Sequence, residues 1–267
     1  MTAAGAMLLS CSQVSKHFGA LAAVNNLSFD VAEGEVLGIG GPNGAGKTTL
    51  FEVISGLNPA TAGEVIFAGR PITRLSPERI CHEGIARTFQ LNAGFDSLTV
   101  RENVLVGAHF GREGRRLPGL RIDREAKARA DAALAAVGLF DRADHLTENI
   151  SVLDRKLLMI ASALATQPRL LLMDEPVGGL TPREIDQVMA VVHGLKGQGV
   201  TVILIEHVMR FLVQLSTRVL IMHHGEKLYE GPPEGLARDA KVVEVYLGAS
   251  AAQRLRDGRA TAGERPA

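Results

Sequence analysis

An α/β fold with a parallel-sheet core, an N-terminal antiparallel β layer and an α-helical insert subdomain is predicted by three features of this sequence. Short strand-like runs, VLGI (36–39), LLLMDE (170–175) and VTVILIE (200–206), are separated by stretches long enough to hold helices. The first run leads straight into GPNGAGKTT (41–49), where Gly41, Gly46, Lys47 and Thr48 satisfy G-x-x-x-x-G-K-[ST]. From Val100 to about Ala165 the chain turns alanine-rich, charged and helical in character.

The elements follow in order. Residues 7–40 alternate β-like runs, MLLSCSQV, NLSFDV and EVLGIG, with turn signals such as AEGE, which predicts a small β-rich layer ahead of the core. TTLFEVISGL (48–57) reads as a helix, and GEVIFAGRPI (63–72) as a strand pair. Thr99 followed by Glu102 is a capping-box pattern that opens the helical region. Inside that region GREGRRLPGLR (111–121) is basic and broken by Gly and Pro, and reads as a surface loop. Thr181-Pro182-x-Glu184 marks a further helix start, with Pro at the first helical position. One domain over 1–248 is expected, its core formed by 1–92 and 166–248 and its helical subdomain by about 93–165. The segment 249–267, low in bulky apolar residues, is expected to be disordered.

Composition narrows the function classes. A hydrophobic share of 46% supplies a sizeable core, and a formal net charge of zero gives no global attraction to nucleic acid or an anionic membrane. Cys11 and Cys81 are far apart and without metal-ligand spacing, so ordinary thiols in a reducing compartment are expected. The start, MTAAGAMLLS, lacks signal-peptide character. No apolar run approaches the ~18 residues of a membrane span, so any membrane role would come through a partner.

The chemistry concentrates on GPNGAGKTT. Gly41, Pro42, Asn43, Gly44, Ala45 and Gly46 form a loop whose backbone N–H groups can turn toward a polyphosphate, ahead of a helix N-terminus that also favours an anion. Lys47 adds positive charge at the β- and γ-phosphates, the Thr48 hydroxyl is a Mg²⁺ ligand candidate, and Thr49 completes the set of ATP-binding candidates. A chance match in a chain of this length is on the order of one in a hundred by average residue usage. At the end of LLLMDEP, Asp174 places a carboxylate at the C-terminal edge of the sheet, where open α/β sheets bind ligands. Asp174 is a second Mg²⁺ ligand candidate, and Glu175 is placed to orient or deprotonate a water. An acidic loop start that merely caps the next helix is the bland alternative; a lone Asp-Glu pair would not exceed it, but one that follows four apolar residues in a P-loop protein is a strong signal.

Taken together, GPNGAGKTT, LLLMDEP, RTFQ (87–90), ISVLDRK (150–156), GGLTP (178–182) and IEHVM (205–209) resemble the nucleotide-binding subunit of an ABC transporter, over nearly the whole chain to Gly248. The resemblance implies a P-loop, RecA-like core that binds ATP and Mg²⁺. It identifies Gln90 as the Q-loop residue, touching Mg²⁺ and water and relaying closure to a membrane partner, and His207 as the switch histidine at the γ-phosphate. Phe18 lies at the usual distance before Lys47 for an aromatic that stacks on adenine. Singly, Gln90 would be a surface amide, His207 a satisfied strand-edge residue and Phe18 a core residue; their joint spacing raises all three.

RTFQ, EHVM and the ending VVEVYLG are similar to ATPases of importers for branched-chain amino acids and related amides. That implies transmembrane permease subunits, a second ATPase subunit, an indirect connection to a periplasmic or extracellular solute-binding protein, and a peripheral position on the cytoplasmic membrane face. The ATPase of a lipid exporter is a runner-up within the class. A DNA-repair or translation ATPase finds no support, since there is neither a second cassette nor a long basic tract.

Two motifs depart from the family. Where a sequence close to LSGGQ caps the γ-phosphate of the opposite subunit, this chain has Ile150, Ser151, Val152, Leu153 and Asp154. Ser151 and Asp154 still make a good helix N-cap. Leu153 adds bulk where a backbone must approach a ligand closely. Asp154 adds negative charge near an anion, with Arg155 or Lys156 available to offset it. GGLT also lacks the aspartate with which the family commonly ends that loop. Pairing with a different ATPase subunit, giving one ordinary and one slow site, is therefore expected, with a homodimer as the alternative. A module that binds ATP without appreciable turnover is the contrasting reading.

Overall fold

The computed structural model describes residues 6–89, 94–111 and 124–247. The chain begins with two long strands, β1 (Met7–Phe18) and β2 (Leu21–Ala32), paired antiparallel, then β3 (Val36–Gly40) and helix α1 (Lys47–Ile54). β4 (Ala62–Phe67) and β5 (Arg70–Pro71) follow, then α2 (Pro77–Glu83) and β6 (Ile85–Arg87). Three helices come next: α3 (Val100–Phe110), α4 (Arg124–Ala136) and α5 (Val152–Leu164). The remainder alternates, as β7 (Leu170–Asp174), α6 (Pro182–Gly197), β8 (Thr201–Ile205), α7 (Met209–Leu215), β9 (Arg218–His223), β10 (Glu226–Gly231) and α8 (Ala240–Leu247).

Two sheets result. A six-stranded sheet has the order β10-β9-β3-β8-β7-β6, parallel except for its β10 edge, and an antiparallel four-stranded sheet has the order β2-β1-β4-β5. β7 and β8 are buried at every position, as expected of central parallel strands covered on both faces. Their pleat divides the side chains between two cores. Leu170, Leu172, Ile203 and Ile205 face α1 and the antiparallel layer, while Leu171, Met173, Val202 and Leu204 face the helices.

Local sequence explains the element ends. The helix expected over 48–57 stops at Ile54, because the Ser55 hydroxyl bonds back to the Phe51 carbonyl at 2.7 Å and Gly56 turns left-handed at φ 74°. Thr99 and Glu102 form the anticipated capping box, and Thr181 and Glu184 form another with Pro182 behind it. The short helices α2, α7 and α8 and the β9–β10 hairpin are not predicted as elements by the sequence, although VVEVYLG falls on α8 and EHVM ends at the start of α7. The apolar run RVLIM followed by Gly225, at φ 80°, is the signal that could have revealed the hairpin. The basic 112–121 segment and the 249–267 tail lie outside the described residues.

Candidate nucleotide and catalytic site

The loop from Gly41 to Gly46 joins β3 to α1, and two of its glycines are required by contact. A Cβ on Gly41 would lie 2.2 Å from the Met222 carbonyl oxygen, and one on Gly46 would lie 2.0 Å from that of Ala23. Both positions also have positive φ, 146° and 95°. The loop is thus pressed between β9 and β2. Its outer side opens on a cavity of about 550 Å³ lined by Asn43 to Thr49, Phe18, Glu175 and His224.

Lys47 is buried, and its ammonium donates to the carbonyls of Gly41 at 2.8 Å and Pro42 at 2.9 Å. Burial lowers its pKa, and the charges of Glu175 and Asp174 oppose that shift. Asp174 and Glu175 follow from the end of β7, as the strand's apolar run foretells. Glu175 has φ 47°, a left-handed conformation uncommon for a non-glycine residue, and its carbonyl accepts from the buried Lys156 ammonium at 3.1 Å. His207, beyond the end of β8, brings Nδ1 to 3.7 Å from Glu175 Oε1. Residues far apart in sequence thus meet at one edge of the sheet.

Asp174 has a partner that the sequence reading did not single out. Arg87, the last residue of β6, donates to Asp174 Oδ2 at 2.9 Å, and its guanidinium stands over the rings of Phe51 and Phe89. Burial raises the Asp174 pKa while Arg87 draws it down. The other oxygen, Oδ1, is buried and makes no hydrogen bond among the described residues. An orphaned carboxylate oxygen beside the P-loop fits the demand of a hard cation for an oxygen ligand, so the residues suit Mg²⁺. Arg87 was visible only as the first letter of RTFQ. His224, in the β9–β10 turn, lines the P-loop cavity together with Leu21, Ala22 and Ala23, none of which the sequence reading singled out.

Phe18 is 46% exposed at the cavity rim, with the Lys16 ammonium 5.0 Å from its ring centroid. It is therefore an open aromatic face and not a core residue. Gln90 lies outside the described residues.

Ser151, Leu153 and Asp154 line a different cavity, with Arg142, Thr181 and Arg183. Ser151 caps α5 as foreseen, its hydroxyl accepting from the Asp154 N–H at 3.1 Å. The charge balance differs from the sequence expectation. Asp154 is buried and takes its ion pair from Arg142, while Arg155 pairs with Asp96 and Lys156 serves the Glu175 carbonyl. Ser151 and Val152 are both exposed, Val152 at 55%, and Leu153 packs partly against the hydrophobic core.

Residues 24–178 match the family model for the ABC transporter. This chain belongs to that family. Its cassettes are ATPases coupled to transport, and those of importers work with membrane permease subunits. The chain is 34% identical over 249 residues to the high-affinity branched-chain amino acid transport ATP-binding protein LivG of Salmonella typhimurium, covering 90% of this chain and 98% of LivG. It is 35% identical over the same length to BraF of Pseudomonas aeruginosa, a protein of the same description. A crystal structure of an ABC-transporter ATP-binding cassette in its ADP conformation superposes with a TM-score of 0.83 at 32% identity, covering 91% of this chain and 99% of that one. Among the described residues of this cassette, no helix is long and apolar enough to cross a membrane.

Proposed function

We propose that this cassette is the ATP-hydrolysing motor of an importer for branched-chain amino acids or related amides. The observation that carries the hydrolytic role is the approach of His207 to Glu175, at 3.7 Å, beside the P-loop. The solute class rests on the relatives LivG and BraF.

In this reading the P-loop amides and Lys47 hold the β- and γ-phosphates, and Phe18 stacks on the base. Glu175 accepts a proton from the water as its oxygen bonds to the γ-phosphorus, and the bond to the bridging oxygen breaks to release ADP. His207 donates a hydrogen bond to a γ-phosphate oxygen. Thr48, Asp174 and Gln90 would hold Mg²⁺, which supplies charge neutralisation at the phosphates. Ser151 to Asp154 would face the nucleotide of a second ATPase subunit, a different chain in the favoured arrangement and a second copy in the alternative. An apolar cavity of about 330 Å³ beside β6, lined by Phe89, Phe95, Val106 and Met159, is where the permease would engage. The protein would then sit peripherally on the cytoplasmic membrane face, with a solute-binding protein across the membrane. The division into a core of 1–92 and 166–248 and a helical subdomain of about 93–165 is part of this proposal.

A second reading, a nucleotide-gated module with little turnover, is favoured by the exposed Val152 in place of a glycine. The two separate on ATP hydrolysis by the purified chain, alone and assembled with its genomically neighbouring ATPase and permease subunits. Turnover that disappears in Glu175→Gln supports the motor. ATP binding without turnover in both settings supports the passive module.

A further inference from the structure

Glu206, immediately before His207, is fully buried, an expensive place for a carboxylate. The structure shows what it holds. Oε1 accepts from the backbone N–H of Val177 at 3.1 Å, and Oε2 accepts from those of His207 at 3.1 Å and Val208 at 3.2 Å. Val177 belongs to the segment that leaves β7 through Glu175, and His207 to the segment that leaves β8. The Glu206 N–H in turn donates to the Ile39 carbonyl on β3, the strand that feeds the P-loop. One residue therefore ties together the exits of three neighbouring strands, each carrying a part of the site.

We propose that Glu206 is a positioning residue for hydrolysis, its carboxylate fixing the Glu175 and His207 segments against each other. The proposal rests on the reading of Glu175 and His207 as the hydrolytic pair. Neither backbone segment has regular structure at this point; one backbone bond, from the Glu175 N–H to the Ile205 carbonyl at 3.0 Å, joins them directly, and the Glu206 carboxylate extends the connection to Val177, His207 and Val208. An apolar side chain at 206 would leave all three N–H groups without this acceptor. A glutamine has the right shape but a single acceptor oxygen. Serving one segment, it would turn its amide donors toward the other.

The test compares Glu206→Gln with wild type in whichever preparation, isolated or assembled, hydrolyses ATP. Equilibrium affinity for a fluorescent ATP analogue should stay within about threefold, while kcat falls about 10–100-fold, the scale of a misplaced catalytic group. In a His207→Ala background the same substitution should cost less than about threefold, because the pair it aligns is already broken. Glu206→Asp keeps two acceptor oxygens on a shorter arm, and should retain more kcat than the glutamine variant. If Glu206→Gln does not fold, Glu206→Asp carries the same double-mutant comparison.

An unchanged kcat, or an equal loss in both backgrounds, overturns the positioning role. A wild-type protein whose turnover ignores Glu175→Gln overturns the hydrolytic pair itself, and this proposal with it. Normal wild-type dependence on Glu175 with an indifferent Glu206 overturns only the latter.

Discussion

Arg87 and Asp174 form an ion pair at 2.9 Å with side chains only 7% and 2% exposed. The pair fills one Asp174 oxygen and leaves the other for a further ligand. Its geometry also joins the end of β6, just before Gln90, to the end of β7.

Removing one partner of a buried pair strands the other charge. Arg87→Met should therefore cost about 3–5 kcal/mol of folding stability, read by urea denaturation. Arg87→Met combined with Asp174→Asn should lose less than the sum of the single changes. Additive losses would show that the two groups do not stabilise each other.

Phe18 presents its ring at the cavity rim instead of in the core, so trimming it should leave stability nearly unchanged. Phe18→Ala should weaken ATP binding by about 1–3 kcal/mol, the scale of base–aromatic stacking. Equilibrium titration with ATP measures this, and an unaltered affinity would remove Phe18 from the site.

The α5 N-terminus separates packing from ligand approach. Leu153→Gly removes a side chain that packs on the core and should destabilise by about 1–3 kcal/mol. Val152 is exposed, and Val152→Gly should cost no more than about 1 kcal/mol. If side-chain bulk slows the partner's site, Val152→Gly and Leu153→Gly should each speed hydrolysis by the assembled subunits. No change, or a loss, would make ISVLD a working variant.

Burial raises the pKa of both thiols, that of Cys11 further through the charge of Asp30. The folded protein binds those protons more tightly than the unfolded chain. Their contribution to stability is thus present below the ordinary thiol value of 9.0 and is lost as pH rises through the folded values. Iodoacetamide at pH 8 should label native Cys81 slowly and Cys11 hardly at all, with both reacting promptly in urea. Rapid native labelling of Cys11 would contradict its burial.

By itself the sequence determined whatever depends on neighbours along the chain. Gly41 to Thr48 dictate a loop with positive φ and a following helix, the LLLMDE run dictates a buried strand ending in a carboxylate, and Thr99, Ser151 and Thr181 dictate helix starts through their own hydroxyls. Family resemblance supplied His207 and Phe18, which no local rule would have singled out. Tertiary structure decided the contacts between residues distant in sequence. Arg87 pairs with Asp174 only because β6 and β7 are neighbours in the sheet, and Glu206 finds Val177 only because β7 and β8 are. Arg142, not Arg155 or Lys156, balances Asp154, since the fold brings the turn after α4 against α5 and directs the two nearer cations to Asp96 and the Glu175 carbonyl. A charged side chain is long and rotatable, so its partner is set by the three-dimensional packing around it and not by its position in the chain.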